Sequence, residues 1–229
     1  MGNLSEFLME ELNVATAFTI PIFGGIEVAE STVISWVIMA IIVILTLVLT
    51  RNMRVEKPGK LQVGVEYAVT ALQNLVRGII GHEGERYVPY LSTVLVFLGI
   101  SNIFAIFGMK PPTKDLNVTA ALALMSIILV QAASIRQNKV GGWLEGFTKP
   151  SKVITPLNVM ELAIRPLSLC MRLFGNVMGA FVVMKLLEHL VPVILPAVFS
   201  LYFDFFDGLL QAYVFVFLTG LYIKEAVEE

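Results

Sequence analysis

Long apolar stretches separated by short polar ones dominate this chain, and each apolar stretch is long enough to cross a lipid bilayer. Residues 31–50 carry no charged side chain, and at 1.5 Å per residue this length matches a hydrocarbon core about 30 Å thick. A lone strand in lipid would leave its backbone groups unpaired, so the pattern predicts a membrane helix. Residues 90–108 and 116–133 have the same character and predict two further spans, joined by a turn that contains Pro111 and Pro112.

The polar region after the first span contains one segment with helical periodicity. Its apolar residues recur at roughly helical spacing: Val63, Val65, Tyr67, Ala68, Leu72, Leu75, Val76 and Ile79. The pattern predicts an amphipathic helix over 61–80 that lies at the membrane surface. The alternative is a connecting helix whose apolar face packs against other protein.

The last third of the chain is too long for simple spans. Residues 153–190 form one largely apolar run, which as a single helix would measure about 57 Å. Modest tilt cannot fit that length into a bilayer, and the second run, 197–226, also exceeds a minimal span. We therefore expect an antiparallel hairpin of two long, strongly tilted helices. The fold class is an all-α membrane protein with about five membrane helices and one amphipathic surface helix.

These patterns divide the chain into successive regions. An N-terminal extracytoplasmic segment precedes a membrane helix, a cytoplasmic loop with the amphipathic helix, a membrane helix hairpin, a second cytoplasmic loop and the long tilted hairpin. Their expected bounds are 1–30, 31–50, 51–89, 90–135, 136–152 and 153–229.

The side of the membrane on which each loop lies follows from the basic residues. The chain has 0 Lys or Arg before the first span, 6 after it, 2 between the second and third spans, and 4 after the third. Because basic loops stay in the cytoplasm, this alternation places the N-terminus outside and the C-terminus in the cytoplasm. The acidic first thirty residues lack the basic start of a secretory signal, so we expect no cleaved signal peptide.

The amino-acid composition excludes several functional classes of protein. Of 229 residues, 57% are hydrophobic and 15% are charged, with a net charge of −2, and the mean hydropathy is +0.81. Soluble domains carry about 25% charged residues, so a soluble enzyme, a disordered chain and a nucleic-acid-binding module are excluded. One Cys and two His supply neither an internal disulfide nor a Cys/His metal cluster. The sequence also lacks a glycine-rich phosphate loop.

Both arms of the predicted hairpin carry polar side chains within otherwise apolar sequence. On the first arm these are Glu161, Arg165, Ser168, Arg172, Asn176, Lys185 and Glu188, and on the second arm they are Asp204, Asp207 and Gln211. On a helix, Glu161, Arg165 and Arg172 fall within about 40° of one another. The three polar residues of the second arm are also spaced to share one face. Each arm is therefore predicted to present one polar stripe.

Charges inside a bilayer are costly, so each one requires an explanation. Glu161 and Arg165 have the i,i+4 spacing of an ion pair that snorkels toward the cytoplasmic side. Lys185 and Glu188 are spaced as an interfacial pair. Arg172 has no acid three or four residues away on its own helix, so its partner must come from elsewhere. This favours a functional role for Arg172.

Three sequence blocks carry a resemblance to a known family. The stretch PLSLCMRLFGN over 166–176 is similar to the signature of subunit a of the F-type ATP synthase membrane sector. The block PPTKDLNVTAALAL over 111–124 and the block LQAYVFVFLT over 210–219 resemble two further motifs of that family. Their order and spacing agree over roughly residues 88–224.

The resemblance implies a role for individual residues of the hairpin. Arg172 matches the family's essential stator arginine, which faces the rotating ring of c subunits, and Gln211 matches the glutamine beside it on the opposing helix. Asn176 and Ser168 match polar positions of the cytoplasmic access path. Asp204 falls where family members carry His or Glu of the outer access path.

The chain departs from the family at one position. Nine residues after the arginine, family members carry Glu or His, whereas this chain has Phe181. We therefore expect the outward relay to rest on Asp204, together with Asp207 and Glu188. Glu161, on the same stripe as Arg172, completes the set of candidate ion-translocation residues.

The resemblance implies a non-catalytic subunit that provides two offset half-channels for protons or sodium ions, coupling ion flow to ring rotation and ATP synthesis. The expected partners are the c-subunit ring, the b subunits of the peripheral stalk, the catalytic F1 sector indirectly, and the lipid bilayer, without nucleic acid or cofactor. The expected location is the plasma membrane of a bacterium. An independent transporter would show internal repeats, and a membrane scaffold would not need Arg172. Gly175 and Gly179, spaced i,i+4, are expected to admit a helix of another subunit.

Overall fold

The computed structural model describes residues 16–20, 26–51, 53–54, 58–82, 84–104, 111–146, 155–190 and 199–228. Within these ranges the chain forms an antiparallel strand pair followed by α-helices. The elements are β1 (Thr16–Ile20), β2 (Ile26–Ala29), α1 (Glu30–Thr50), α2 (Lys60–Ile80), α3 (Val88–Ile103), α4 (Leu116–Gly146), α5 (Thr155–Leu190) and α6 (Gly208–Glu228). Short 3₁₀ turns cover Glu85–Tyr87 and Pro112–Lys114, and a π-helical segment covers Leu201–Asp207.

The prediction of an all-α membrane protein is confirmed. Among the described residues, four helical stretches are long and apolar enough to cross a membrane: Glu30–Thr50, Leu116–Trp143, Thr155–Glu188 and Leu201–Val227. The α3 helix is shorter, at 16 residues, and the end of the span predicted over 90–108 lies outside the described residues. The strand pair before α1, with Phe18 opposite Val28, was not predicted, because its two strands are too short for a clear alternating pattern.

The α2 helix is anchored at one end only. Val76, Ile79 and Ile80 near its C-terminus are buried, and they pack toward α3 and α6. At the other end, Leu61 is 81% exposed and Tyr67 is 76% exposed. Protein therefore covers the last turns of this amphipathic helix and leaves the apolar side chains of its first turns open. Contact of that end with a membrane surface stays a prediction.

The α4 helix continues beyond the predicted span and breaks near its end. At Lys139 the backbone adopts φ 57° and ψ 171°, which no α-helix tolerates. After the break, the indole nitrogen of Trp143 donates a hydrogen bond to the side-chain oxygen of Gln131 at 2.9 Å. This bond ties the last turns of α4 back to its membrane-spanning part.

The core of the protein is built around α6. Ala212, Phe215, Val216 and Ile223 on this helix are at most 1% exposed, and α3, α4 and α2 all pack against it. Gly220 permits the closest approach, since a Cβ there would lie 2.8 Å from a methyl carbon of Ile79 on α2. The α6 helix is therefore the central element of the fold, in direct contact with helices from most of the chain.

The α5 helix packs mainly on α4 and leaves much of its surface open. Leu169, Cys170 and Leu173 form its buried side, and the sulfur of Cys170 lies 3.6 Å from the hydroxyl of Thr119 on α4. The α5 helix meets α6 along only a short line of contact. The predicted polar stripe follows this line, since Arg165 and Asn176 both contact residues of α6.

Candidate functional site

A hydrogen bond between two amide side chains joins the arms of the hairpin. The Asn176 side-chain nitrogen donates to the Gln211 side-chain oxygen at 2.7 Å. Gln211 is only 2% exposed, and Asn176 lies at the open side of α5. The pair therefore stands at the border between the core and the open face, and it brings together two residues that the sequence placed on opposing helices.

Arg172 lies one helical turn before Asn176 and is exposed. No described residue forms a hydrogen bond or an ion pair with its guanidinium. Its neighbour Leu173 is fully buried, so the helix is rigidly seated while the arginine points away from the core. An exposed cation within a membrane-length helix is costly unless a partner outside this chain receives it. Arg172 is therefore positioned to meet an external group.

The surface around Arg172 is apolar and contains two open glycines. Leu167 is 60% exposed and Met171 is 53% exposed. A Cβ added at Gly175 or Gly179 would meet no atom within 4 Å. Two glycines one turn apart on an exposed helix face permit a second helix to approach closely. An apolar face of this kind marks contact with lipid or with another protein.

Arg165 forms a second link between the two arms, at the other end of their contact. The Arg165 guanidinium pairs with the Glu161 carboxylate at 3.0 Å, as its spacing predicted, and with the Glu225 carboxylate at 2.8 Å. The Arg165 guanidinium also lies 5.0 Å from the ring centre of Tyr222. Glu225 was missed by sequence reasoning, because it is 60 residues away from Arg165 in the chain.

Ser168 and the acids of the second arm occupy less regular positions. Ser168 lies on α5 one turn before Arg172 and is partly buried. Asp204 and Asp207 belong to the π-helical segment, where the wider i→i+5 turn changes the angular phase between residues. The predicted stripe assumed 3.6 residues per turn. Asp207 is partly buried, and the side chain of Asp204 lies outside what the structure describes.

Phe181, the residue at which this chain departs from the family pattern, has its ring beside two lysines. The Lys114 ammonium nitrogen lies 3.6 Å from the Phe181 ring centre, and that of Lys185 lies 5.8 Å from it. Lys185 also pairs with Glu188 at 2.9 Å, as its spacing predicted. The sequence did not predict that Lys114 lies beside this ring, because it places the turn that contains Lys114 outside the membrane. In the structure Lys114 is only 8% exposed.

The described residues contain no group of three or more His, Cys, Asp or Glu that could hold a metal ion. The arrangement instead combines a fixed cation, a neutral amide pair and acids further along the hairpin. Such a set can bind and release a mobile proton or cation and stabilise a carboxylate that arrives from outside.

Comparison with known proteins identifies the family. Residues 32–224 match the family model described as ATP synthase A chain. The chain is 37% identical to the ATP synthase subunit a of Moorella thermoacetica over 89% of this chain and 93% of that protein. It is 33% identical to subunit a 1 of Hahella chejuensis, over 90% and 87% of the two chains. It is 30% identical to the sodium ion specific subunit a of Propionigenium modestum, over 89% of this chain and 75% of that protein.

The matches cover most of the chain and include the hairpin that carries Arg172 and Gln211. They confirm the resemblance seen in the three sequence blocks. This protein is thus a member of the ATP synthase A chain family, a subunit of the membrane sector of the ATP synthase complex.

Proposed function

We propose that this chain is the stator subunit that guides ions to and from the carboxylates of a rotating c-subunit ring. The observation that carries this proposal is Arg172, an exposed cation on a membrane helix that no described residue pairs. The apolar face with Gly175 and Gly179 beside it offers a surface where a ring helix could approach. The chain itself makes and breaks no bond of ATP, and catalysis belongs to the F1 sector.

Arginine suits the task of a stator charge for two reasons. Its guanidinium stays protonated at any accessible pH, whereas a lysine in a low-dielectric site can lose its proton. A permanent cation favours the ionised form of a ring carboxylate that passes Arg172, so the carboxylate releases its ion. The same charge repels a cation that would cross directly between the two access paths, so the ring must turn before it reloads.

The two access paths lie at opposite ends of the hairpin. Ser168, Asn176 and Glu161 line the cytoplasmic path, and Asp204, Asp207 and Glu188 line the outer path. Acids and amides in such positions hold water and relay protons. Gln211 holds Asn176 at 2.7 Å and adds a neutral polar group at the level of the ring without adding charge.

Ion flow down the membrane potential then drives the ring. Each unit charge that crosses 100 mV releases about 2.3 kcal/mol, and successive crossings turn the ring that drives the catalytic sector. The peripheral-stalk b subunits hold this chain still against the rotation. The membrane is the plasma membrane of a bacterium, with the N-terminus outside and the C-terminus in the cytoplasm. The transported ion is a proton or a sodium ion, as one relative is named sodium ion specific.

The test is Arg172→Ala in the assembled complex, with ATP-driven ion uptake measured in inverted membrane vesicles. We expect uptake to disappear while the other subunits still co-purify. The matched control is Arg136→Ala, since Arg136 is another exposed arginine, placed toward the end of α4, and it should leave uptake unchanged. Uptake at the normal rate in an assembled Arg172→Ala complex would refute the proposal.

A further inference from the structure

A buried polar chain links the turn before α4 to the start of α6. The Thr113 hydroxyl donates to the Asn102 side-chain oxygen at 2.9 Å, and the Asn102 side-chain nitrogen donates to the Gly208 carbonyl at 2.8 Å. Thr113 is fully buried and Asn102 is 3% exposed. Buried polar groups that satisfy one another in this way are rigid and directional.

Gly208 is the junction at which the π-helical segment gives way to α6. The Gly208 carbonyl oxygen has two lone pairs, and it accepts a hydrogen bond from the Asn102 side-chain nitrogen. A Cβ at Gly208 would lie 2.9 Å from the Cβ of Asn102, so the helix junction and α3 are in direct contact. Asn102 therefore joins this junction to α3.

The same turn holds the other arm of the hairpin. Lys114 follows Thr113 directly, is buried, and places its ammonium 3.6 Å from the ring centre of Phe181 on α5. A cation over an aromatic face is most favourable when water is excluded from it. The turn thus contacts α5 through Lys114 and the start of α6 through Thr113 and Asn102.

We infer that the turn 111–115 is a clamp that sets the relative position of the two hairpin arms, with Asn102 and Lys114 as its positioning residues. Gly208 is three residues before Gln211, about 4.5 Å along the helix, and Phe181 is nine residues after Arg172, about 13.5 Å. Anchors so near the site hold Gln211 and Arg172 in register with one another. The inference rests on the proposed function, because it gives these residues a part in ion translocation.

The first test substitutes Asn102 in the full complex and measures ATP-driven ion uptake per assembled complex. Asn102→Leu keeps the size of the side chain and removes both hydrogen bonds, and we expect uptake to fall between about tenfold and a hundredfold, as misplaced sites do. The matched control is Thr93→Val on the same helix α3. The Thr93 hydroxyl donates to the backbone carbonyl of Pro89 and does not contact the turn, so uptake should stay within about twofold of normal.

Asn102→Asp adds a readout that loss of packing alone would not produce. A protonated carboxyl accepts from Thr113 and donates to the Gly208 carbonyl, as the amide does, whereas an ionised carboxylate cannot donate. The charged groups on the surrounding elements are Lys114 and Asp115 of the turn and Asp207 of the π-helical segment. Uptake relative to the unmodified complex at each pH should therefore fall as pH rises from about 6 to 9, the range in which buried carboxyl groups ionise.

The second arm of the clamp is tested at Lys114. Lys114→Met keeps the apolar stem and removes the cation, and we expect uptake to fall about tenfold or more. Lys114→Arg keeps a cation over the Phe181 ring and should restore most of the uptake. Lys60→Met, at an exposed lysine of α2, is the control for loss of a positive charge.

The outcomes separate the clamp from the proposed function. The clamp is refuted if assembled Asn102→Leu or Lys114→Met complexes pump normally, or if Lys114→Arg is no better than Lys114→Met. If Asn102→Leu complexes do not assemble, the Asn102→Asp variant decides. The clamp is then refuted if uptake by Asn102→Asp, relative to the unmodified complex, is low and does not change with pH. Normal pumping by Arg172→Ala overturns the proposed function, whatever the clamp variants do.

Discussion

Glu225 lies 60 residues beyond Arg165 in the chain, yet the carboxylate of one contacts the guanidinium of the other at 2.8 Å. The pair crosses from α5 to α6 and fixes one end of the line along which the two helices meet. The Asn176–Gln211 hydrogen bond fixes a point further along the same line. Arg172 lies between these two contacts and is held in place by neighbours on both sides, although no described residue binds it directly.

Glu225→Gln should have a small effect on stability. Arg165 keeps Glu161 at 3.0 Å when Glu225 loses its charge, and the pair is partly exposed, with 21% of the Arg165 side chain and 46% of the Glu225 side chain accessible. We expect a cost below about 1 kcal/mol, as for exposed ion pairs. Thermal unfolding of the purified complex measures it. A cost of several kcal/mol would mean that the cross-arm pair, rather than apolar packing, holds the hairpin together.

Gln211→Leu should slow ion translocation without preventing assembly. Leucine fits the buried site but offers no acceptor for the Asn176 amide, which then lacks its partner. We expect about 1 kcal/mol of lost interaction, or roughly a fivefold slower turnover. ATP-driven uptake and co-purification report the two effects separately. The control is Thr219→Val on the same helix, since the Thr219 hydroxyl bonds only to the backbone carbonyl of Phe215, and it should leave the rate within about twofold of normal.

Gly175→Ala and Gly220→Ala should affect different properties, although both glycines lie in membrane-length helices. A Cβ at Gly175 meets no atom within 4 Å, so the fold of the chain itself should tolerate it, with a gain of up to about 1 kcal/mol from helix propensity. A Cβ at Gly220 meets Ile79 at 2.8 Å and should destabilise the fold by about 1–3 kcal/mol.

The measurement for this pair is thermal stability of the complex beside ATP-driven uptake. Gly175→Ala should reduce uptake while the unfolding temperature holds, because the proposed function places the added methyl group on the face that meets the ring. Gly220→Ala should lower the unfolding temperature of the complex, and any loss of uptake should follow from that loss of stability. If Gly175→Ala pumps normally, the face around Arg172 does not admit a closely packed helix.

Phe181→Glu should be tolerated, although it places a new charge on a membrane helix. The Lys114 ammonium already lies 3.6 Å from the ring centre, and the Lys185 ammonium lies 5.8 Å from it. Both cations are near enough to neutralise an introduced carboxylate, which otherwise costs at least about 2.5 kcal/mol in a bilayer. We expect assembly and at least half of the normal uptake. Loss of assembly would show that the lysines require the aromatic face itself. Phe199→Glu, on a ring that stacks against Phe203 rather than under an ammonium, is the matched control and should impair assembly.

The membrane class and the local pairs were predictable because they depend on neighbours along one helix. Uninterrupted apolar runs predict spanning helices from length alone, and α1 occupies Glu30–Thr50 where the pattern predicted 31–50. The Glu161–Arg165 and Lys185–Glu188 ion pairs follow from side chains three or four residues apart. The motif around Arg172 was sufficient to identify the family.

Other features depend on which helices meet, and no local pattern contains that information. The π-helical turn over Leu201–Asp207 changes the phase of the second arm, although its sequence reads like that of an ordinary helix. Likewise, the break at Lys139 is not marked by proline or glycine at that residue.

The sequence by itself determined that this is an all-α membrane protein of the ATP synthase A chain family, with an arginine that lacks a partner on its own helix. Only the tertiary structure decided that Glu225 meets Arg165, that Lys114 covers Phe181, and that Asn102 holds the start of α6. The physical reason is the separation along the chain over which each kind of interaction acts. Helix formation and i,i+4 pairing act over one turn, whereas these contacts join side chains that only the packing of separate helices brings together.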